Sequence, residues 1–567
     1  MLNVSEHTLS QPAYMPWRFR ILLVVVILAI SSLIIRIVNL TIFNQQFLIN
    51  EGRQRVLRQI ATPTVRGMIV DRKGEPLAVS AQTFSVWVNP KEFNPNDKSF
   101  KRLSQLLNIK QSTLMATVQM AKKKNRQFLY LKRSLSPHLV NRIQALEIPG
   151  LYRQASYRRY YPEGEITGQL IGFTNVDDKG QEGIELGYND WLTGDSEKRW
   201  VIKDRIGRII ADVSHKRTQK KGNDLVLSID KRIQYFSYRA LLAGVIDNQA
   251  HAGSAVVLNA KTGEVLAMAN YPSFNPNKKP IKINEFIRNR AITDTFEPGS
   301  TVKAFSMASA FETGKFKADT IIDTTPGWMR VGKNLVRDII NYGPITITKI
   351  LQVSSNVGIS KIILQLPPDH LWHTLQQFGF GEITGIGFPG EQSGQLVKPP
   401  SFASFPLATL SFGYGISVTA LQLARAYAVL ANGGVKLPIT LLRIDQPPPG
   451  ERVLKEGVAN QILLLLESVL NKGGTGKRAH IDGYRIAGKT GTTRINDKKG
   501  YSAKHHEASF VGIAPLTNPR LIVAVVIHDP QGKHYHGGDV AAPIFKTIMR
   551  ESLRLLDVLP DDPTHQH

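Results

Sequence analysis

The chain has 567 residues, 42% of them hydrophobic and 20% charged, a balance that excludes both a wholly disordered chain and a polytopic membrane protein. That length exceeds what one hydrophobic core organises, so two or three folded units are expected. The formal net charge of +26 admits nucleic acid, an anionic membrane surface or an anionic polymer as partner, while the absence of cysteine excludes thiol catalysis, disulfides and thiolate metal sites.

Near the start, Ile21 to Ile35 carries no charge and continues as Arg36-Ile37-Val38-Asn39-Leu40. This reaches the roughly 20 residues that span a bilayer, provided Arg36 snorkels to an interface. Arg18 and Arg20 flank the start and Trp17 is placed as an interfacial anchor, so residues 18–40 read as an uncleaved anchor after a tail over 1–17. The competing reading is a cleaved signal peptide, for which Ala29-Ile30-Ser31 is a weak match with more apolar residues beyond it. Arg53, Arg55 and Arg58 follow the span and cancel a simple positive-inside count.

Residues 41–224 mix short extended and helical runs with turn signals at Asp71-Arg72-Lys73-Gly74 and Asp177-Asp178-Lys179-Gly180. Basic residues are scattered, in small clusters such as 122–124 and 216–221, without the aromatic-interleaved pattern of a nucleic-acid module. At Lys221-Gly222-Asn223-Asp224 the texture changes to longer elements, which marks a boundary before a second unit over 225–557 and a polar tail over 558–567. There, Asp230 to Ala243 predicts a helix, and Gly253 to Leu258 with Glu264 to Ala269 predicts a β-hairpin. Ser300 to Glu312 reads as helical, and Thr346 to Val353 and Val357 to Leu366 as two helices broken by Ser354-Ser355-Asn356. Thr419 with Gln422 forms a capping-box pattern for a helix ending at Asn432-Gly433. Ile486 to Thr492, Ala508 to Ile513 and Leu521 to Ile527 read as strands, followed by a helix over Ala542 to Leu556. Strands at both ends of the unit with helices between them predict an α+β fold.

Three elements carry candidate chemistry. Pro298-Gly299 breaks the chain before a helix, so Ser300 falls at an N-terminal turn whose N–H groups favour developing negative charge. Lys303, three residues on, shares its face; a lysine there takes the serine proton only if burial or a neighbouring cation lowers its pKa. Taken alone, the pair reads as a capping serine with an exposed lysine. Ser354-Ser355-Asn356, between two apolar helical stretches, either caps a helix or lines a cleft. Lys489-Thr490-Gly491-Thr492 closes an apparent strand, where an edge ending in glycine lets an extended peptide approach.

In this order, on helix, interrupted helix and strand, these elements form the motif set of penicillin-recognising serine acyltransferases. With Arg66-Gly67-Met68-Ile69-Val70-Asp71-Arg72, Arg159-Tyr160-Tyr161-Pro162, Gly183-Ile184-Glu185 and Phe412-Gly413-Tyr414-Gly415, the chain resembles the class B penicillin-binding proteins, the division-associated transpeptidases of Gram-negative bacteria (FtsI type), over nearly its whole length. Asn356, where elongation-type enzymes carry aspartate, and Lys489-Thr490-Gly491-Thr492-Thr493-Arg494 favour division over elongation.

The resemblance implies a single transmembrane helix in the inner membrane with a cytoplasmic N-terminus, an elongated pedestal, and a periplasmic transpeptidase domain of antiparallel sheet flanked by helices. It implies Ser300 as nucleophile, Lys303 as general base, Ser354 as proton shuttle, Asn356 as the donor-positioning group, Ser355 as a substrate-binding residue, and Lys489 as electrostatic support. Thr490, Gly491 and Thr492 would bind substrate, and the backbone N–H groups of Ser300 and Thr492 would form the oxyanion hole. No metal or organic cofactor is implied. The implied partners are peptidoglycan stem peptides, β-lactams, a SEDS-class glycosyltransferase and other divisome membrane proteins, and no nucleic acid. A β-lactamase shares the triad but has no use for an anchor and a long preceding unit; a β-lactam sensor or division scaffold would keep the fold without the chemistry. Gly473-Gly474-Thr475-Gly476-Lys477 is rejected as a phosphate loop, because Asn471 and Arg478 break the pattern and a helix precedes it. His505-His506 and His534-Tyr535-His536 read as surface or substrate-adjacent loops, and His565 and His567 lie in the polar tail.

Overall fold

A computed structural model describes residues 16–61, 65–194, 198–203, 209–212, 221–278, 285–400, 404–497 and 500–563. The tail before Pro16, residues 216–220 of the second basic cluster, and His565 and His567 lie outside the described residues, as do the side chains of Arg53, Arg55 and Arg58.

The apolar segment is helical from Pro16 to Val38, continues as a π-turn over Asn39–Phe43, and is followed by a helix over Gln45–Val56. At 1.5 Å per residue the first helix alone is about 35 Å long, enough to cross a hydrocarbon core. None of its side chains is buried within the protein, which separates it from a core helix.

In the pedestal, the long strand Pro76–Val88 pairs antiparallel with Leu151–Tyr160 on one side and with Leu129–Leu135 and Ile69–Val70 on the other. Three short helices, Asp97–Leu107, Gln111–Lys123 and Pro137–Gln144, close a small core around Phe100, Leu103, Leu114 and Val140. Beneath the sheet, Glu185 accepts from Arg66 Nε and Arg159 Nε, each at 2.6 Å, with all three side chains at most 1% exposed. Past the textural break at 221–224, Leu225–Val226 still pairs, in parallel, with Ile69–Val70.

The second unit is built on a five-stranded antiparallel sheet in the order Val265–Tyr271, Ala250–Asn259, Leu521–Pro530, Gly500–Ala514, Ala487–Asp497. Its central strands read as continuous apolar runs because both faces are covered. Ala255, Val257, Val523 and Val525 pack with the helices Lys231–Asp247 and Gly537–Leu555, while Val256, Leu258, Ile522 and Ala524 join the helical core on the opposite face. That second core contains the fully buried helix Ala420–Ala431, whose Thr419–Gln422 capping box forms as expected.

The α+β expectation and the hairpin hold. Two bounds differ. The strand bearing Lys489 does not stop at Thr492 but runs to Asp497, because its ladder with the neighbouring strand continues past the motif. The last helix starts at Gly537 rather than Ala542, as Thr492 Oγ1 accepts from Gly537 N at 3.0 Å and satisfies an end group that the sequence leaves bare.

Candidate active site

Pro298 turns the chain and Gly299 takes φ +57, in the left-handed region, so Ser300 rides on a 3₁₀ turn over Gly299–Val302 that feeds the helix Lys303–Glu312. Gly413, at φ +85, packs so tightly behind this turn that a Cβ there would stand 2.1 Å from Gly299 O. The expected α-helical start at Ser300 is thus a tighter turn, with Ser300 facing a cleft of about 550 Å³.

Lys303, expected exposed if the pair were a plain helix start, is wholly buried. Its Nζ donates to Ser354 O at 2.6 Å, Asn356 Oδ1 at 2.7 Å and Ser354 Oγ at 3.1 Å. Burial pulls its pKa well below the usual lysine value, and Lys489 adds to the effect while Asp338 opposes it. Lys489 comes from the edge strand, is also wholly buried, and donates to Ser354 Oγ at 3.1 Å. Burial lowers its pKa to about 7. Three acceptors around Lys303 suit an ammonium, whereas its burial beside a second amine favours the neutral form. Two ammonium groups around one serine hydroxyl repel each other, so burial and the neighbouring amine both push Lys303 toward the neutral form.

Ser354 ends the helix Ile347–Val353 with φ +63, a left-handed conformation rare for a non-glycine residue. Such strain is kept where surrounding contacts enforce it, here by directing Oγ between the two lysines. Ser355 is turned elsewhere: it is buried, its Oγ accepts from Gly358 N at 2.9 Å to cap the helix Asn356–Ile363, and it donates to Asp338 Oδ2 at 2.5 Å. The structure therefore gives Ser355 the capping place rather than a wall of the cleft. Thr490 and Thr492 line the cleft, and Gly491 lies behind them, where a Cβ would meet Ser509 Oγ at 2.2 Å and Pro298 O at 2.8 Å.

The family model described as the penicillin binding protein transpeptidase domain matches residues 253–550, and the penicillin-binding protein dimerisation domain matches 61–227. The chain belongs to the penicillin-binding transpeptidases. It is 42% identical to the peptidoglycan D,D-transpeptidase FtsI of Escherichia coli K12, covering 97% of this chain and 93% of that one. It is 40% identical to the probable peptidoglycan D,D-transpeptidase PbpC of Pseudomonas aeruginosa, covering 96% of each. Among solved structures it resembles the transpeptidase domain of Burkholderia pseudomallei penicillin-binding protein 3, at 38% identity and TM-score 0.55 over 59% of this chain and 98% of that one. It also resembles penicillin-binding protein 3 of Mycobacterium tuberculosis complexed with aztreonam, at 26% identity and TM-score 0.68 over 89% and 99%.

Within this penicillin-binding transpeptidase, the sequence left several cleft residues unmarked. Asp338, on a loop with no motif, accepts from Asn356 N at 2.5 Å and Val357 N at 3.0 Å, so it fixes the second motif from outside. Thr475, inside the rejected glycine-rich segment, lines the cleft and accepts from Thr490 Oγ1 at 2.9 Å. His506, stacked on Tyr535 at 4.2 Å, and His536 also line it, as a substrate-adjacent loop would. Among the described residues no group of three or more His, Asp or Glu is arranged to hold a metal ion.

Proposed function

We infer that the chain is a peptidoglycan D,D-transpeptidase that cross-links stem peptides of septal cell wall through an acyl-enzyme on Ser300 and is acylated by β-lactams. The observation carrying this reading is Ser354 Oγ at 3.1 Å from each of two buried lysine amines, in the cleft that Ser300 faces. Ser300 attacks the penultimate D-alanine carbonyl of a donor stem peptide and loses its proton to neutral Lys303, a step generally worth about 10²–10⁴-fold. Ser354 passes a proton to the leaving terminal D-alanine, and Lys489 keeps Lys303 from holding a second charge. Asn356 positions the donor, Thr490 and Thr492 take its carboxylate, and the N–H groups of Ser300 and Thr492 receive the oxyanion, typically about 10²–10³-fold per donor. An amine of a second stem peptide then resolves the ester.

Residues 18–40 would anchor the chain once in the inner membrane with the N-terminus cytoplasmic. Residues 41–224 would form the pedestal and 225–557 the periplasmic transpeptidase unit. The pedestal and anchor would meet a SEDS-class glycosyltransferase and other divisome membrane proteins.

Mass spectrometry of the penicillin-treated full chain tests the reading. One adduct is expected, on the peptide containing Ser300, slow to release and absent in Ser300→Ala. An adduct elsewhere, or rapid turnover of the drug, would sink it.

A further inference from the structure

A β-hairpin of strands Trp328–Val331 and Asn334–Arg337 stands at the rim of the cleft that Ser300 faces: Arg337, with Asp338, Ile339 and Tyr342 just after it, lines the same cleft as the serine. The two faces of the hairpin differ. Val331, Val336 and Met329 turn into the helical core, as strand alternation requires. Trp328, Arg330, Leu335 and Arg337 are left on the outer face, where the register sets Trp328 opposite Arg337 and Arg330 opposite Leu335. All four are exposed, Trp328 at 47%, and exposed Lys333 adds a third cation at the turn. Cations on an outer strand face gain most from acids across the ladder. Here each arginine faces an apolar side chain instead, and among the described residues none of the three cations has a hydrogen-bond or ion-pair partner. The hairpin is held by its inner face, so the outer combination of free cations, an indole and a leucine is not needed for packing. Its cleft end is tied to the second motif, since Arg337 O accepts from Asn356 Nδ2 at 3.2 Å and Asp338 Oδ1 accepts from Asn356 N at 2.5 Å. From Arg337 to Lys333 the stripe runs about 13 Å by the strand rise, the length of four extended residues.

We propose that this outer face is a docking track for the donor stem peptide upstream of its D-alanines, with Arg337, Arg330 and Lys333 taking its free carboxylates and Trp328 and Leu335 its aliphatic parts. The assignment rests on the transpeptidase reading, which puts the D-alanine end of the donor at Ser300 and Asn356. A peptide held there by its end leaves the cleft past Arg337 and meets Arg330 and Lys333 next. Stem peptides carry free carboxylates on residues before the D-alanines, so the charges of track and peptide are complementary. A neutral sugar or a purely apolar partner would leave all three cations unmatched.

The test uses the full chain in detergent with two peptide donors that share a D-alanyl thioester end and carry either D-glutamate or D-glutamine two residues upstream. For each, kcat/KM is read from the thiol released, and the ratio of acidic to amidated donor is taken within each variant, so that effects common to both donors drop out. The wild-type chain should prefer the acidic donor about fivefold, the upper scale of one exposed ion pair. That preference should vanish at about 1 M salt, where charges are screened beyond about 3 Å. Arg330→Ser combined with Arg337→Ser should bring the ratio to about one, and Arg330→Glu combined with Arg337→Glu should invert it. A wild-type ratio of about one, or a preference that survives the double serine variant, would overturn the track. A wild-type chain that releases thiol from neither donor and takes no penicillin label would instead remove the transpeptidase reading itself.

Discussion

Lys303 and Lys489 both sit in the wrong medium for an ammonium. With burial and each other's proximity lowering the pKa of Lys303, acylation should rise with pH as its amine becomes neutral. Lys489→Met removes the neighbouring cation, so the pKa of Lys303 rises and the ascending limb of the acylation profile should move to higher pH. A fluorescent penicillin followed across pH checks this; a smaller rate with an unmoved limb would count against the coupling. Stability carries the same signature. Lys489 titrates at about 7 when folded and near the ordinary 10.5 when unfolded, so between those values the unfolded chain binds more protons. Stability should therefore fall as pH drops from 10.5 to about 7 and add no further loss below, and denaturant titrations of Lys489→Met should show a shallower slope in that window. That the motifs of Ser300, Lys303, Asn356 and Lys489 converge around one cleft was legible from their order. Asp338 was not, because an aspartate that acts by accepting two backbone N–H groups leaves no periodic or spacing signal.

The elements meet at backbone distance around the turn carrying Ser300, and glycine is what permits it. Gly491→Ala would drive a Cβ to 2.8 Å from Pro298 O, a backbone atom with no room to move. The edge strand should shift away from Ser300, with acylation falling by about tenfold or more if the oxyanion N–H is displaced. A normal acylation rate in a folded Gly491→Ala variant would show that the strand can slide without harm. Asp338→Ala removes the acceptor at the start of the helix Asn356–Ile363; it should cost about 1–2 kcal/mol in denaturant unfolding, as lost caps do, and slow acylation through the loosened Ser354–Asn356 turn. Strands and helices with strong apolar pattern were legible in the sequence. Their ends were set by tertiary contacts, the hydrogen bond from Gly537 N to Thr492 Oγ1 being the case in point.

Across the whole molecule, the base of the pedestal joins one core of the sheet unit, while its three short helices keep a small core of their own. Ile69, Leu77, Tyr161 and Ile184 pack in the same cluster as Val256, Met268 and Ala291. Polar ties reinforce the junction: Asp71 Oδ2 accepts from Lys231 N at 3.1 Å, and Gln234 Nε2 donates to Ile166 O at 2.8 Å. Scanning calorimetry should accordingly show both units melting in one transition. Glu185→Ala strands Arg66 and Arg159 as buried unpaired cations, a loss of about 3–5 kcal/mol, and should lower that single transition as a whole. Two transitions, of which only one moves, would refute the common core. The three residues sat in separate motifs of the sequence, and nothing in their spacing announced that they form one cluster. The anchor was legible from hydropathy alone.

A seamless core has a mechanical side. Close-packed interiors are stiff and hand strain on rather than absorbing it, so the junction at Asp71 and Lys231 offers no slack joint about which the pedestal could swing. Torque applied to the pedestal would therefore reach the turn carrying Ser300 through the frame rather than be lost at a hinge.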